Sequence, residues 1–136
     1  SLGATNSNFV NPHGLTDPNH YTTVYDLYLI SNEALKYDKF VELIHTSTYA
    51  STYHDQNNNE KKIDIQNSNA YIRGETPAPD HVTVIGGKTG TTNAAGSCLI
   101  LFAENSSGNP FISVVLKSID KTTMYSEMTD LLSEIP

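Results

Sequence analysis

The stretch from His81 to Leu116 constrains the fold more than any other part of the chain. Three apolar runs follow one another there: Val82 to Ile85 with Gly86-Gly87 behind it, Ser97 to Ala103, and Phe111 to Leu116. Each has the length of a strand and is short for a helix. The second and third flank Asn105, Ser106, Ser107, Gly108 and Asn109, a hairpin turn composition, so they must pair antiparallel. The first strand, near 82 to 90, runs into Lys88-Thr89-Gly90. A closing helix, Lys121 to Glu134, puts Met124, Tyr125, Met128, Leu131 and Leu132 on one face, ready to back the sheet.

The first half supplies covering elements. Asn11-Pro12-His13-Gly14 and Asp17-Pro18-Asn19 break the chain into turns. A helix is expected from about Thr22, capped by Thr22 or Thr23, with Asp26 as a capping-box analogue and Val24, Leu27, Tyr28, Ile30, Ala34 and Leu35 at helical spacing. A second helix covers Asp38 to His45, with Asp38 as its cap. Thr46 to Tyr53 reads as an exposed strand, Asp55 to Glu60 as a hairpin tip, and Ile63 and Ile65 as part of the return strand. Residues 67–74 form a link and Pro77-Ala78-Pro79 a stiff turn. The expected class is mixed α/β: an antiparallel sheet flanked by helices. No repeat or composition break divides it.

Composition narrows the function. The 136 residues suit one domain. A net charge of -7 without a Lys/Arg cluster excludes a nucleic-acid footprint and a polybasic membrane patch. A single cysteine, Cys98, excludes a disulfide framework and a multi-cysteine zinc site, and its apolar strand marks it as an inert core thiol. No apolar run approaches the roughly 20 residues of a membrane span. Tyr49, Tyr53 and Tyr71 could form a sugar-stacking surface, but ordinary strand positions explain them better. His45, His54 and His81 have no companions and read as surface residues.

Lys88-Thr89-Gly90 carries the chemistry. An ammonium supplies charge, a neighbouring hydroxyl donates to a carboxylate, and a glycine lets a ligand backbone approach the strand. The bland alternative is a strand end with a lone lysine. A second block makes the pattern specific: Phe9, Asn11-Pro12-His13-Gly14-Leu15, then His20, Thr22-Thr23 and Asp26, with Thr92 two residues beyond Gly90. Asn67-Ser68-Asn69 stands between the blocks.

In this order the blocks resemble the serine-type D-alanyl-D-alanine carboxypeptidases, the low-molecular-weight penicillin-binding proteins. That family carries F-x-N-P-H-G-L, then H-x-(S/T)-(T/A)-x-D, often N-x-N, and finally K-T-G-x-T. The resemblance runs from about residue 1 to about 118. It implies a β-lactamase/transpeptidase-like fold and no cofactor or metal. It implies that Lys88, Thr89 and Gly90 bind the terminal carboxylate of a peptidoglycan stem peptide or a β-lactam. The Thr91 backbone N–H would form half of an oxyanion hole. Asn11, Pro12, His13, Gly14, His20 and Asp26 would be structural, the two histidines holding their loop by hydrogen bonds.

The family's S-x-x-K nucleophile and its S-x-N motif precede N-P-H-G-L and find no match here. Residues 1–136 are therefore expected to be the C-terminal portion of a catalytic domain, inactive alone and partnered by the domain's N-terminal half. Ser118-Ile119-Asp120-Lys121 and Ser107-Gly108-Asn109 imitate the two motifs in reversed order. The first serine falls at a strand end and the second in a turn. His13, Asp17 and His20 could suggest a metal, but loop-holding is simpler. The rival functions are a serine β-lactamase and a non-enzymatic binding module. The parent is expected in the cell envelope, and the piece is expected to dimerise, exchange elements or lose order near its N-terminus.

Overall fold

The computed structural model describes all residues, Ser1–Pro136. Helices α1 (Val24–Ala34) and α2 (Asp38–His45) come first. A hairpin of β1 (Thr48–His54) and β2 (Glu60–Gln66) follows. Then come β3 (Val82–Thr92), β4 (Gly96–Asn105), β5 (Pro110–Ser118) and α3 (Lys121–Ser133). β3, β4 and β5 form one antiparallel sheet in that order, and β1 and β2 form a separate antiparallel pair.

β4 is the central strand and both its faces are covered. Ser97, Leu99, Leu101 and Ala103 alternate toward α3, where Met124, Met128 and Leu132 are at most 1% exposed. Phe102 points the other way and meets Phe40, with ring centroids 5.9 Å apart. The stripe on α3 follows steps of four residues, 124, 128 and 132, the neighbours on a helix face. Leu131 lies off that stripe and is exposed, contrary to expectation.

α1 begins where Thr23 Oγ1 accepts the Asp26 N–H at 3.1 Å. Asp26 does not complete a capping box. Its carboxylate is fully buried and accepts from the Asn6 N–H at 2.8 Å and the Ser7 hydroxyl at 2.7 Å. A buried carboxylate needs donors, and the N-terminal strap provides them. The buried residues of α1 are accordingly Asp26 and Ser31, while Val24 and Tyr28 of the expected apolar face are exposed. α2 starts after Tyr37, which makes no side-chain cap; Asp38 is already inside the first turn, where its charge favours the helix dipole.

Two side chains differ from the sequence reading, and a third, His45, is on the surface as expected but has a partner. Tyr71 sits in the turn after β2, not in a strand. It is buried, its hydroxyl lies 2.7 Å from Thr129 Oγ1, and burial pushes its pKa up. Cys98 is half-buried beside a register shift between β4 and β5, with Sγ 3.5 Å from the Lys117 N–H, so it is not a core thiol. His45 is exposed, yet its Nδ1 lies 2.7 Å from the Ile85 carbonyl and ties α2 to β3.

Candidate active site

β3 is an edge strand, so its outer edge has no strand partner. Two glycines set where its chemistry sits. Gly87 presses on β4: a Cβ there would stand 2.4 Å from the Ile100 carbonyl oxygen. Gly90 is the opposite case, since a Cβ there would meet nothing within 4 Å. Between them, Lys88 pairs with Ile100 and Thr89 with Leu99.

Side chains alternate along a strand, so Thr89 and Thr91 share a face. That face borders a cleft of about 230 Å³, lined also by Ser68, Arg73, Lys121, Met124 and Tyr125. Lys88 does not line it; its ammonium donates to the Thr89 carbonyl. Larger clefts exist, one of about 470 Å³ between α2 and the β1–β2 hairpin and one of about 590 Å³ between α3 and β5. Neither contains a K-T-G residue.

The wall facing Thr89 is the turn after β2. Asn67 Nδ2 donates to the Thr46 carbonyl at 2.8 Å, and Asn67 Oδ1 accepts the Asn69 N–H at 2.9 Å. Asn69 is fully buried and its Oδ1 accepts the Tyr71 N–H at 3.1 Å. The Tyr125 hydroxyl accepts the Ala70 N–H at 2.9 Å and donates to the Ser68 carbonyl at 3.4 Å, fastening the turn to α3. Ser68 is left pointing at β3, its Oγ 2.5 Å from Thr89 Oγ1.

The cleft is cationic although the chain carries a net charge of -7. Arg73 donates to the Asn67 carbonyl and pairs with Glu75. That hydrogen-bonded pairing raises the Arg73 pKa and lowers that of Glu75. Lys121 opens α3 and belongs to none of the four ion pairs, Lys36–Glu33, Lys39–Glu42, Lys61–Asp55 and Arg73–Glu75. Two cations and four hydroxyls around one small cleft suit a carboxylate-bearing ligand.

The second motif block lies beside the β3–β4 turn. Gly14, Leu15, Thr16, Asp17 and His20 face Thr92, Ala94 and Ala95 across a cleft of about 140 Å³. Asn11 braces the loop: its Nδ2 donates to the Leu15 carbonyl at 3.0 Å and its Oδ1 accepts the Gly14 N–H at 2.8 Å. Pro12 is exposed at the bend. His13 Nδ1 accepts from the Leu15 N–H and His20 Nδ1 from the Val10 N–H, both at 3.2 Å. Asp17 Oδ1 accepts the Asn19 N–H at 2.8 Å. No three His, Cys, Asp or Glu side chains gather into a metal-holding group.

Of the two imitation motifs only Lys121 lines the cleft; Ser118 and Ser107-Gly108-Asn109 lie outside it. Ser118 ends β5, nearly buried, and the cap of α3 is Asp120 rather than Ser118. Ser107 lies in the β4–β5 turn, its N–H on Asn105 Oδ1 at 3.0 Å. Sequence reasoning missed Arg73, Lys121, the hydroxyl role of Tyr125 and the contact between Ser68 and Thr89. The Asn67-Ser68-Asn69 pattern was the only local signal for any of them.

The chain is similar to known proteins in sequence and in fold. The D-alanyl-D-alanine carboxypeptidase family profile matches residues 1–120. The D-alanyl-D-alanine carboxypeptidase DacF of Bacillus subtilis is 35% identical over 105 residues, 76% of this chain and 24% of the relative. DacA of Haemophilus influenzae is 33% identical over 115 residues, 85% of this chain and 26% of the relative. The chain thus spans about a quarter of the curated relatives it matches. Among solved structures, the Streptomyces K15 DD-transpeptidase superposes with a TM-score of 0.83 at 25% identity, covering 97% of this chain and 48% of that one. Penicillin binding protein 5 from Haemophilus influenzae gives 0.72 at 25% identity, covering 98% and 35%. The transpeptidase-like fold expected from the motifs is the fold observed.

Proposed function

The chain belongs to the D-alanyl-D-alanine carboxypeptidase family, and from that premise we propose that it is the K-T-G-bearing part of a serine-type D-Ala-D-Ala carboxypeptidase. The carrying observation is the cleft in which Thr89 and Thr91, on an unpaired strand edge, face Ser68, Arg73 and Lys121. Residues 1–136 would form the C-terminal portion of the catalytic domain, completed by an N-terminal half that brings S-x-x-K and S-x-N. The match to about half of the Streptomyces structure supports that division.

In this reading the stem peptide's terminal carboxylate accepts a hydrogen bond from the Thr89 hydroxyl. Lys88 contributes charge from behind the strand, and the open space at Gly90 admits the peptide backbone. The Thr91 N–H stabilises the oxyanion that forms when the serine oxygen attacks the penultimate carbonyl. A donor in that role contributes about 2.7–4 kcal/mol. D-alanine leaves with a proton, and water then cleaves the serine ester and restores the hydroxyl. Asn11, Pro12, His13, Gly14, His20 and Asp26 shape the loop and strap beside the β3–β4 turn.

A β-lactam presents a carboxylate beside a strained carbonyl and would occupy the same cleft. The envelope, where peptidoglycan lies, is the compartment this substrate requires. No helix of the chain is long and apolar enough to cross a membrane.

The test is penicillin labelling of the full-length protein, followed by intact mass. A long-lived adduct together with D-alanine release from a D-Ala-D-Ala peptide supports the carboxypeptidase. Rapid loss of the adduct would indicate a β-lactamase, and neither adduct nor release a binding module. Residues 1–136 alone are expected to give no adduct, and a penicilloyl mass shift on them would refute that.

A further inference from the structure

We propose that Ser68 is a positioning residue for Thr89: it donates its hydroxyl proton to Thr89 Oγ1 and thereby commits the Thr89 proton to a bound carboxylate. The inference rests on the reading that Thr89 receives that carboxylate.

Ser68 differs from its neighbours in what its side chain does. Asn67 and Asn69 spend their side chains on the Thr46 carbonyl and on the backbone N–H groups of Asn69 and Tyr71. Their role is to fix the turn. The Ser68 carbonyl is held by Tyr125, and the Asn67 carbonyl by Arg73. With the backbone fixed from both sides, the Ser68 hydroxyl has one partner, Thr89 Oγ1 at 2.5 Å.

Between the two hydroxyls alone either oxygen can be the donor, because a hydroxyl both donates and accepts. An ionised carboxylate only accepts. On arrival at Thr89 it accepts a hydrogen bond from the Thr89 hydroxyl and leaves Ser68 as the donor to Thr89 Oγ1. The order becomes Ser68 O–H to Thr89 Oγ1, then Thr89 O–H to carboxylate. Hydrogen bonds in such a chain polarise one another and strengthen. Without Ser68 the Thr89 hydroxyl rotates freely and meets the carboxylate as a lone donor. The consequence is selectivity for substrates that end in a free carboxylate over those ending in a neutral amide.

The test uses the full-length protein and two peptides, one ending in D-Ala-D-Ala carboxylate and the other in its amide. Ser68→Ala is expected to lower kcat/KM for the carboxylate peptide roughly tenfold, about the effect of one lost hydrogen bond at the upper end of its net range. Turnover of the amide should stay within about twofold. Ser68→Thr, which keeps the hydroxyl, should restore selectivity. Equal losses on both peptides would reduce Ser68 to a structural residue and overturn the proposal, as would no loss on either. Thr89→Val separates the two readings. If Thr89→Val removes carboxylate selectivity and Ser68→Ala does not, the relay fails alone. If Thr89→Val leaves selectivity intact, the assignment of the carboxylate to Thr89 fails with it. Should Ser68→Ala unfold, shown by a lost thermal transition, Ser68→Cys tests the same bond with a weak donor and should give an intermediate loss of selectivity.

Discussion

Replacing Gly87 with alanine should separate β3 from β4 just before the K-T-G triplet. The new Cβ would stand 2.4 Å from the Ile100 carbonyl oxygen, 2.7 Å from Leu101 Cδ2 and 3.0 Å from Asn69 Nδ2. Ordinary contact begins near 3.4 Å, so β3 must retreat by about 1.0 Å from a backbone atom that cannot rotate away. A ladder hydrogen bond of about 2.9 Å stretched by that much falls outside bonding range. Losing two such bonds costs about 1–3 kcal/mol, and overpacking adds a similar amount. The total, about 2–6 kcal/mol, is a large share of the roughly 5–15 kcal/mol that stabilises a domain. Chemical denaturation of the wild type and the variant measures it, and amide exchange across the β3–β4 ladder locates it. Gly90→Ala is the internal control: its Cβ enters open space, so stability should change by less than about 0.5 kcal/mol. A Gly87→Ala protein as stable as wild type would refute the reasoning, as would a Gly90→Ala protein that is the less stable of the two.

Two further outcomes follow from the geometry. Asp120 accepts the Thr123 N–H at 2.7 Å, and that bond holds its pKa below the ordinary carboxylate value. Its contribution to α3 is therefore complete above the unfolded pKa and lost as pH falls through the lower folded one. Helical circular dichroism followed from about pH 5 to about pH 2 should show an acid loss in the wild type that Asp120→Asn diminishes, and identical curves would refute it. The exposed apolar side chains of the N-terminal half, Phe9, Val10, Leu15, Tyr25 and Tyr28, should make residues 1–136 self-associate, exchange elements or fray near the N-terminus. A monodisperse monomer in solution scattering with an ordered N-terminus would contradict this.

Periodicity made the sheet legible. Val82 to Leu116 contains three apolar runs and one turn composition, and β3, β4 and β5 lie where those runs lie. The strands are longer than the runs by a few residues, because pairing continues through polar positions such as Thr91 and Thr92. α3 was legible for the same reason, except that Leu131 left the buried stripe. α1 was placed but turned: its buried residues are Asp26 and Ser31, not its apolar ones. Periodicity marks which face differs from the other. It does not say which face the rest of the molecule covers.

The motif blocks alone determined the family and the K-T-G strand, because residue types at fixed local spacing are properties of sequence. Only the tertiary structure decided which groups share a cleft with them. Asp26 finds its donors at Asn6 and Ser7, about twenty positions back along the chain. Ser68 meets Thr89 across 21 positions, and Tyr125 reaches the same turn from 57 positions away. The Lys88 ammonium turns onto its own strand, and Arg73 and Lys121 line the cleft instead. Such partners are set by chain reversals and by the packing of α3 on the sheet. A hydroxyl or an amide carries no local mark of which distant group it will face.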